Sequence, residues 1–258
     1  MANKQKKPLF KQQLKLAWTS FKTKKLLLLS FLELAGLLLV ILGFYLWTNS
    51  LQSLEPAIAA IEAGTMSDAS LMSTVQSLLY KLAISTSLLA IYLFVITAFF
   101  KSFIYSRLTK IKYTLKYYFK ALGLSFFSGL FALIIAAIFA VIAIPLMNAG
   151  KAILTSYVVL LILIGFFMMY LIILWYINFA LTHKIWKGFK LMIHNGILGI
   201  KKFLIPLLAI ILVFFLLNIV LLPFSFLPNT AYLTITLIFS LFYVSWINIY
   251  LYNVQNEK

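Results

Sequence analysis

The chain contains no cysteine, so disulfides, thiolate metal sites and thiol nucleophiles are excluded. It has two histidines, and it has five acidic residues against 22 Lys plus Arg. His183 and His194 both fall in one basic segment without an acidic neighbour, too few ligands for a metal site. A Ser-His-Asp triad needs an aspartate. The sole one, Asp68, is expected on the opposite side of a membrane from both histidines. No glycine-rich phosphate loop follows a strand pattern. Glu55, Glu62 and Asp68 read as a solvated loop rather than paired catalytic carboxylates. We therefore expect no enzyme, no cofactor and no metal. Arginine occurs once, as Arg107, which argues against nucleic acid, because base-edge and bidentate phosphate contacts favour arginine.

Apolar sequence is abundant. Hydrophobic residues make up 64% and charged ones 10%, with a mean hydropathy of +1.06. Soluble domains run at about half apolar and a quarter charged. Crossing about 30 Å of hydrocarbon takes roughly 20 apolar residues in a helix. Six runs qualify: 26–47, 78–100, 122–144, 153–179, 203–222 and 231–252. The fourth is over-long and is expected to tilt. Pro206 should kink the fifth or sit in its first turns.

The net charge of +17 is distributed by side. Eight basic residues precede the first run, six lie between the second and third, and five between the fourth and fifth. Lys258 ends the chain, and Lys81 and Lys151 alone fall on the other side. The positive-inside rule then predicts a cell-membrane protein with both termini cytoplasmic. Residues 1–25 form a basic cytoplasmic segment, 26–252 the six-span domain and 253–258 a cytoplasmic tail. The basic region ahead of the first run is too long for a signal peptide, so that run is expected to be an uncleaved anchor. Residues 48–77 form the longest outer loop, with a short helix expected from Pro56 to Ala63.

The cytoplasmic segments resemble one another. They read "FKQQLKLAWTSFKTKK", "SRLTKIKYTLKYYFKA" and "THKIWKGFKLMIHNG". Each carries an apolar stripe at helical spacing: Phe10, Leu14, Ala17, Trp18, Phe21; Ile104, Leu108, Ile111, Leu115, Phe119, Leu122; Ile185, Phe189, Ile193, Ile197, Ile200. The expectation is an all-α polytopic protein of three repeated units, each a basic amphipathic interfacial helix plus two spans. Lys110, Lys112, Lys116 and Lys120 lie largely off the second stripe and are the candidate contacts to anionic lipid. Ordinary inner loops obeying the charge rule are the alternative.

This pattern, with the "W..FK" spacing at Trp18–Lys22 and Trp186–Lys190, resembles uncharacterised six-span membrane proteins of bacteria and archaea. It is also similar to the membrane domain that precedes the catalytic part of some glycerophosphodiester phosphodiesterases. The second copy departs, with Lys116 in place of the tryptophan. The resemblance implies the fold and carries over no catalytic residue.

Two features inside the spans stand out. Ser125, Gly129, Ala132, Ala136 and Ala140 form a small-residue face on the third span, expected to admit a neighbouring helix closely, either within the chain or in a homo-oligomer. Glu33 is the one acid within a span. An intramembrane acid should face protein or water. Asn178 and Asn248 are at comparable depth, and the three could form a polar cluster. No basic partner is evident at that depth, although Lys22 or Lys25 could reach a shallower Glu33. Glu33→Gln is therefore expected to be nearly silent. The preferred reading is a non-enzymatic membrane module that organises lipid, or a membrane-protein partner, through its basic face. The alternative is a small transporter with a polar site around Glu33.

Overall fold

The structure is a computed structural model that describes residues 9–64, 68–146 and 151–256. The described residues are helical, with no strand among them. In chain order the helices are α1 (Leu9–Phe21), α2 (Lys24–Gln52), α3 (Glu55–Glu62), α4 (Asp68–Thr109), α5 (Leu115–Leu146), α6 (Lys151–Thr182), α7 (Ile185–Ile193), α8 (Ile200–Leu221) and α9 (Asn229–Asn256). A π-helical turn, His194–Leu198, joins α7 to α8, and a 3-10 turn, Leu222–Phe226, follows α8. Six helices are long and apolar enough to cross a membrane, within α2, α4, α5, α6, α8 and α9. Lys258, residues 65–67 between α3 and α4 and residues 147–150 between α5 and α6 lie outside the described residues, as do the side chains of Phe10, Leu14, Asp68, Lys151 and Ile200.

Helix lengths depart from the hydropathy runs. α4, not α6, is the longest, at 42 residues against 32. At 1.5 Å per residue it extends about 63 Å, twice the hydrocarbon thickness. Neither glycine nor proline occurs between Gly64 and Gly123, so nothing local stops the helix at either edge of its apolar run. The 48–77 loop shrinks accordingly: α2 persists to Gln52, α3 fills the middle with Pro56 in its first turn, and α4 starts at Asp68. Pro206 lies inside the second turn of α8.

Burial is strongly uneven along the helices. Tyr105, Leu108, Leu124, Leu174, Trp246 and Tyr250 are fully enclosed, and all belong to the end of the bundle that carries the basic segments. Towards the other end the apolar side chains are open, among them Leu38, Tyr45, Leu88, Ile138, Leu163, Phe215 and Leu233. The chain thus encloses its large side chains mostly at one end, and the open apolar surface of the other needs lipid around it.

The three expected units are not equivalent. α1 and α7 are separate short helices, but the second amphipathic segment is divided between the end of α4 and the start of α5. Lys110 breaks it with a left-handed φ of 60°. The five-residue connection, 110–114, folds back so that Ile111 and Tyr113 pack on the core. Phe103 meets the Tyr113 ring edge-on at 5.4 Å, and the phenol lies 3.3 Å from the Ser102 hydroxyl. Burial pushes that phenol above its ordinary range against the pull of Ser102, so it stays a neutral hydroxyl.

α7 turns most of its apolar stripe towards protein, while of the α1 stripe Ala17 packs on the core and Phe21 stacks on Trp246. α7 lies on α6 with Gly188 so close that an added Cβ would stand 3.0 Å from the Phe179 backbone nitrogen. Ile185, Phe189 and Ile193 pack on the core, while Trp186 is 62% exposed. α1 docks on α9: the Trp246 indole donates to the Ala17 carbonyl at 3.1 Å and stacks on Phe21 at 4.9 Å. Asn253 donates to Ser20 at 3.0 Å. Trp18 stays 60% exposed under the Lys22 ammonium, 5.0 Å from its ring.

Candidate functional site

Glu33 sits nine residues into α2, about 14 Å from its start. Lys101 sits eight residues before the end of α4, about 12 Å from it. α2 and α4 run antiparallel and in close contact, so these depths coincide. The Lys101 ammonium lies 3.0 Å from Glu33 Oε1. Sequence reading placed Lys101 in a connection and so saw no basic partner; the uninterrupted α4 corrects this. Glu33 is 13% exposed and Lys101 29%. The pair therefore sits in a partly desolvated place, where removing one charge costs more than at a surface.

Two glycines make the contact between the helices possible. A Cβ on Gly36 would stand 3.0 Å from the Phe100 ring, and one on Gly43 only 2.4 Å from the Tyr92 ring. Tyr92 is itself held by its hydroxyl, which donates to the Leu39 carbonyl at 2.9 Å. The seven-residue spacing of Gly36 and Gly43 was a legible signal for a close helix pair.

The expected polar cluster is partly assembled. Asn248 Nδ2 reaches Glu33 Oε1 at 3.5 Å, and its Oδ1 accepts from the Tyr105 hydroxyl at 2.7 Å. Tyr105 stacks on Tyr176 at 5.1 Å, and the Tyr176 hydroxyl is 2.7 Å from Ser125 Oγ. Polar contacts thus run from α2 through α9 and α4 to α6 and α5. Asn178 is engaged elsewhere. Its side-chain oxygen accepts from Gln255 and its backbone carbonyl from Thr182. Lys22 and Lys25 are not the partners of Glu33 either. Lys25 donates to the Leu108 carbonyl at 3.3 Å, at the end of α4, and lies near the Tyr252 ring.

The four candidate lipid lysines are all exposed. Lys120 has an additional role, since its ammonium donates to the His183 carbonyl at 3.3 Å. His183 closes α6 with a left-handed φ of 54°, so Lys120 satisfies a carbonyl at a helix end. Lys110, Lys112 and Lys116 stand with exposed Arg107, Lys187 and Lys190 on the same basic end.

The small-residue face of α5 does not receive a helix. Ser125 is buried, but a Cβ added at Gly129 would meet nothing within 4 Å, and Ala136 and Ala140 are exposed. The face lines two clefts instead, one among α4, α5 and α6 and one between α5 and α6. α6 is tied to α5 on both sides of this stretch, by Tyr176 at Ser125 and by Tyr157, whose hydroxyl donates to the Phe139 carbonyl, and the clefts lie between those ties. Among the described residues no group of three or more His, Asp or Glu could hold a metal ion.

No family profile, curated protein or solved structure matches the chain. Function must therefore be argued from this geometry.

Proposed function

We propose that the chain is a non-enzymatic module of the cell membrane that organises anionic lipid, or an acidic membrane partner, on its basic cytoplasmic face. The observation that carries the reading is the coincidence of the packed core with the exposed lysines. Lys110, Lys112, Lys116, Lys187 and Lys190 surround the enclosed end of the bundle, beside the exposed rings of Trp18, Trp186 and Phe119. A rigid platform bearing ammonium groups and interfacial aromatics suits a layer of anionic headgroups. Each lysine at such a surface contributes about 1 kcal/mol.

The test uses Lys110, Lys112 and Lys116, leaving Lys120 in place because it caps α6. In nanodiscs of mixed phosphatidylglycerol and phosphatidylcholine, the native protein should enrich phosphatidylglycerol around itself. The triple change to Gln should lower that enrichment with helicity unchanged. Equal enrichment in the two proteins would defeat the proposal.

Transport is the competing reading, favoured by the Glu33–Lys101 pair within the span region. It requires Glu33 to exchange Lys101 for a proton or cation during a cycle. A flux lost in Glu33→Gln at normal abundance and fold would favour it.

A further inference from the structure

Lys101 touches two clefts. One holds Glu33, Gly36 and Phe100 and belongs to the ion pair. The other, about 370 Å³, lies among α4, α5 and α6. Towards the basic end its lining includes Lys101, Thr97, Ser125, Ser128 and Tyr176, of which the Ser125 and Tyr176 hydroxyls bond to each other and Ser128 donates to the Ser125 carbonyl. Ser125 and Ser128 are both more than nine-tenths buried. One to two turns further along the same helices the lining is apolar, with Leu93 and Phe94 on α4 and Ile172 on α6. Ala132 borders this cleft and also a second of about 420 Å³ between α5 and α6, lined by Ala136, Phe139 and Ala140. The two clefts follow one face of α5, polar towards the basic end and apolar beyond.

We infer that this groove binds one phospholipid, its phosphodiester against Lys101, its acyl chain along Gly129, Ala132 and Ala136. Three observations support the assignment. An ammonium carries three donors, and Glu33 takes one, so two remain for phosphate oxygens. From Ser125 to Ala140 the groove extends about 22 Å, longer than the roughly 15 Å of one leaflet's hydrocarbon. At Gly129 the absence of a side chain leaves open space where a chain can lie against the helix backbone.

A protein helix suits the groove less well. It would bring about 10 Å of width to a cleft whose inner end is a half-buried ammonium and hydroxyl groups. A free phosphate would leave the apolar length unfilled. Because Glu33 offsets the charge of Lys101, the groove recognises the phosphodiester shared by phospholipids rather than a net negative headgroup. This separates it from the proposed basic face, which selects anionic lipid, and it does not depend on that proposal.

The experiment is native mass spectrometry of protein released from nanodiscs of phosphatidylglycerol or of phosphatidylcholine, after stepwise delipidation. The native protein should retain one last phospholipid from either nanodisc. Gly129→Leu and Ala132→Phe fill the groove and should lose it. Gly129→Leu should fold at least as well in lipid-free detergent, since a side chain there meets nothing and glycine is a poor helix residue. The Lys110, Lys112 and Lys116 triple variant should keep the retained lipid, whatever it does to enrichment. Retention unchanged in both groove variants would overturn the site. Displacement of the lipid by inorganic phosphate, or thermal stabilisation by phosphate equal to that by lipid, would overturn it as a lipid site.

Discussion

At Glu33 the decisive quantity is the distance to Lys101. The sequence suggested a lone acid held by amides, for which Glu33→Gln changes little. With an ammonium at 3.0 Å, the same substitution leaves Lys101 short of its countercharge in a partly buried place. A loss of about 1–3 kcal/mol is expected, between the values for exposed and for buried pairs. Adding Lys101→Gln should restore part of it, because two amides can bond to each other without a charge to desolvate. Thermal unfolding of the two single variants and the double variant in detergent checks this. Additive losses would mean that the pair is not coupled. Asn248 belongs to the same unit, since it links Glu33 to Tyr105, and Asn178 does not. The two asparagines looked alike in the sequence because depth along a helix was legible and rotation about its axis was not.

Among the elements, α2 and α4 depend on their glycines. Gly43 admits the Tyr92 ring, and the Tyr92 hydroxyl is tied to Leu39, so the ring cannot easily retreat. Gly43→Leu should therefore destabilise the helix pair by about 1–3 kcal/mol, the usual cost of overpacking. Gly129→Leu on α5 should not, although both are glycines in apolar helices. Thermal scans of the two variants side by side test the contrast. The division of the second amphipathic segment has a similar origin. Its spacing is helical from Ile104 to Leu122, yet burying Ile111 and Tyr113 against the core outweighs one more helical turn and the left-handed Lys110. α7 likewise packs Ile185, Phe189 and Ile193 on the core, because a neighbouring protein surface is in reach.

For the molecule as a whole, topology is the first thing to test. Basic residues alternate in side with the spans, so the α3 region should be outside and the basic end inside. The native chain lacks cysteine, so Ala63→Cys introduces a single thiol just after α3, at an exposed position. It should react with a membrane-impermeant maleimide in intact cells. Reaction only after lysis would reverse the assigned orientation. The open apolar surface of the other half follows from the same asymmetry. Large aromatics and hydrogen bonds join the helices at the basic end, while the far ends are lined by leucine, isoleucine and valine that lipid solvates as well as another helix would.

Hydropathy and charge by themselves determined the all-α architecture and the number of apolar helices, because both follow from the cost of unpaired backbone groups and charges in hydrocarbon. They also singled out Glu33 as the acid that needs an explanation, and Pro56 as the opening of a short outer helix. Only the tertiary structure decided the ion pair with Lys101, the glycine contacts of α2 with α4, the break at Lys110 and the emptiness beside Gly129. Each of these depends on which faces of two helices meet, and in an all-apolar helix the hydrophobic pattern has no preferred face to reveal it.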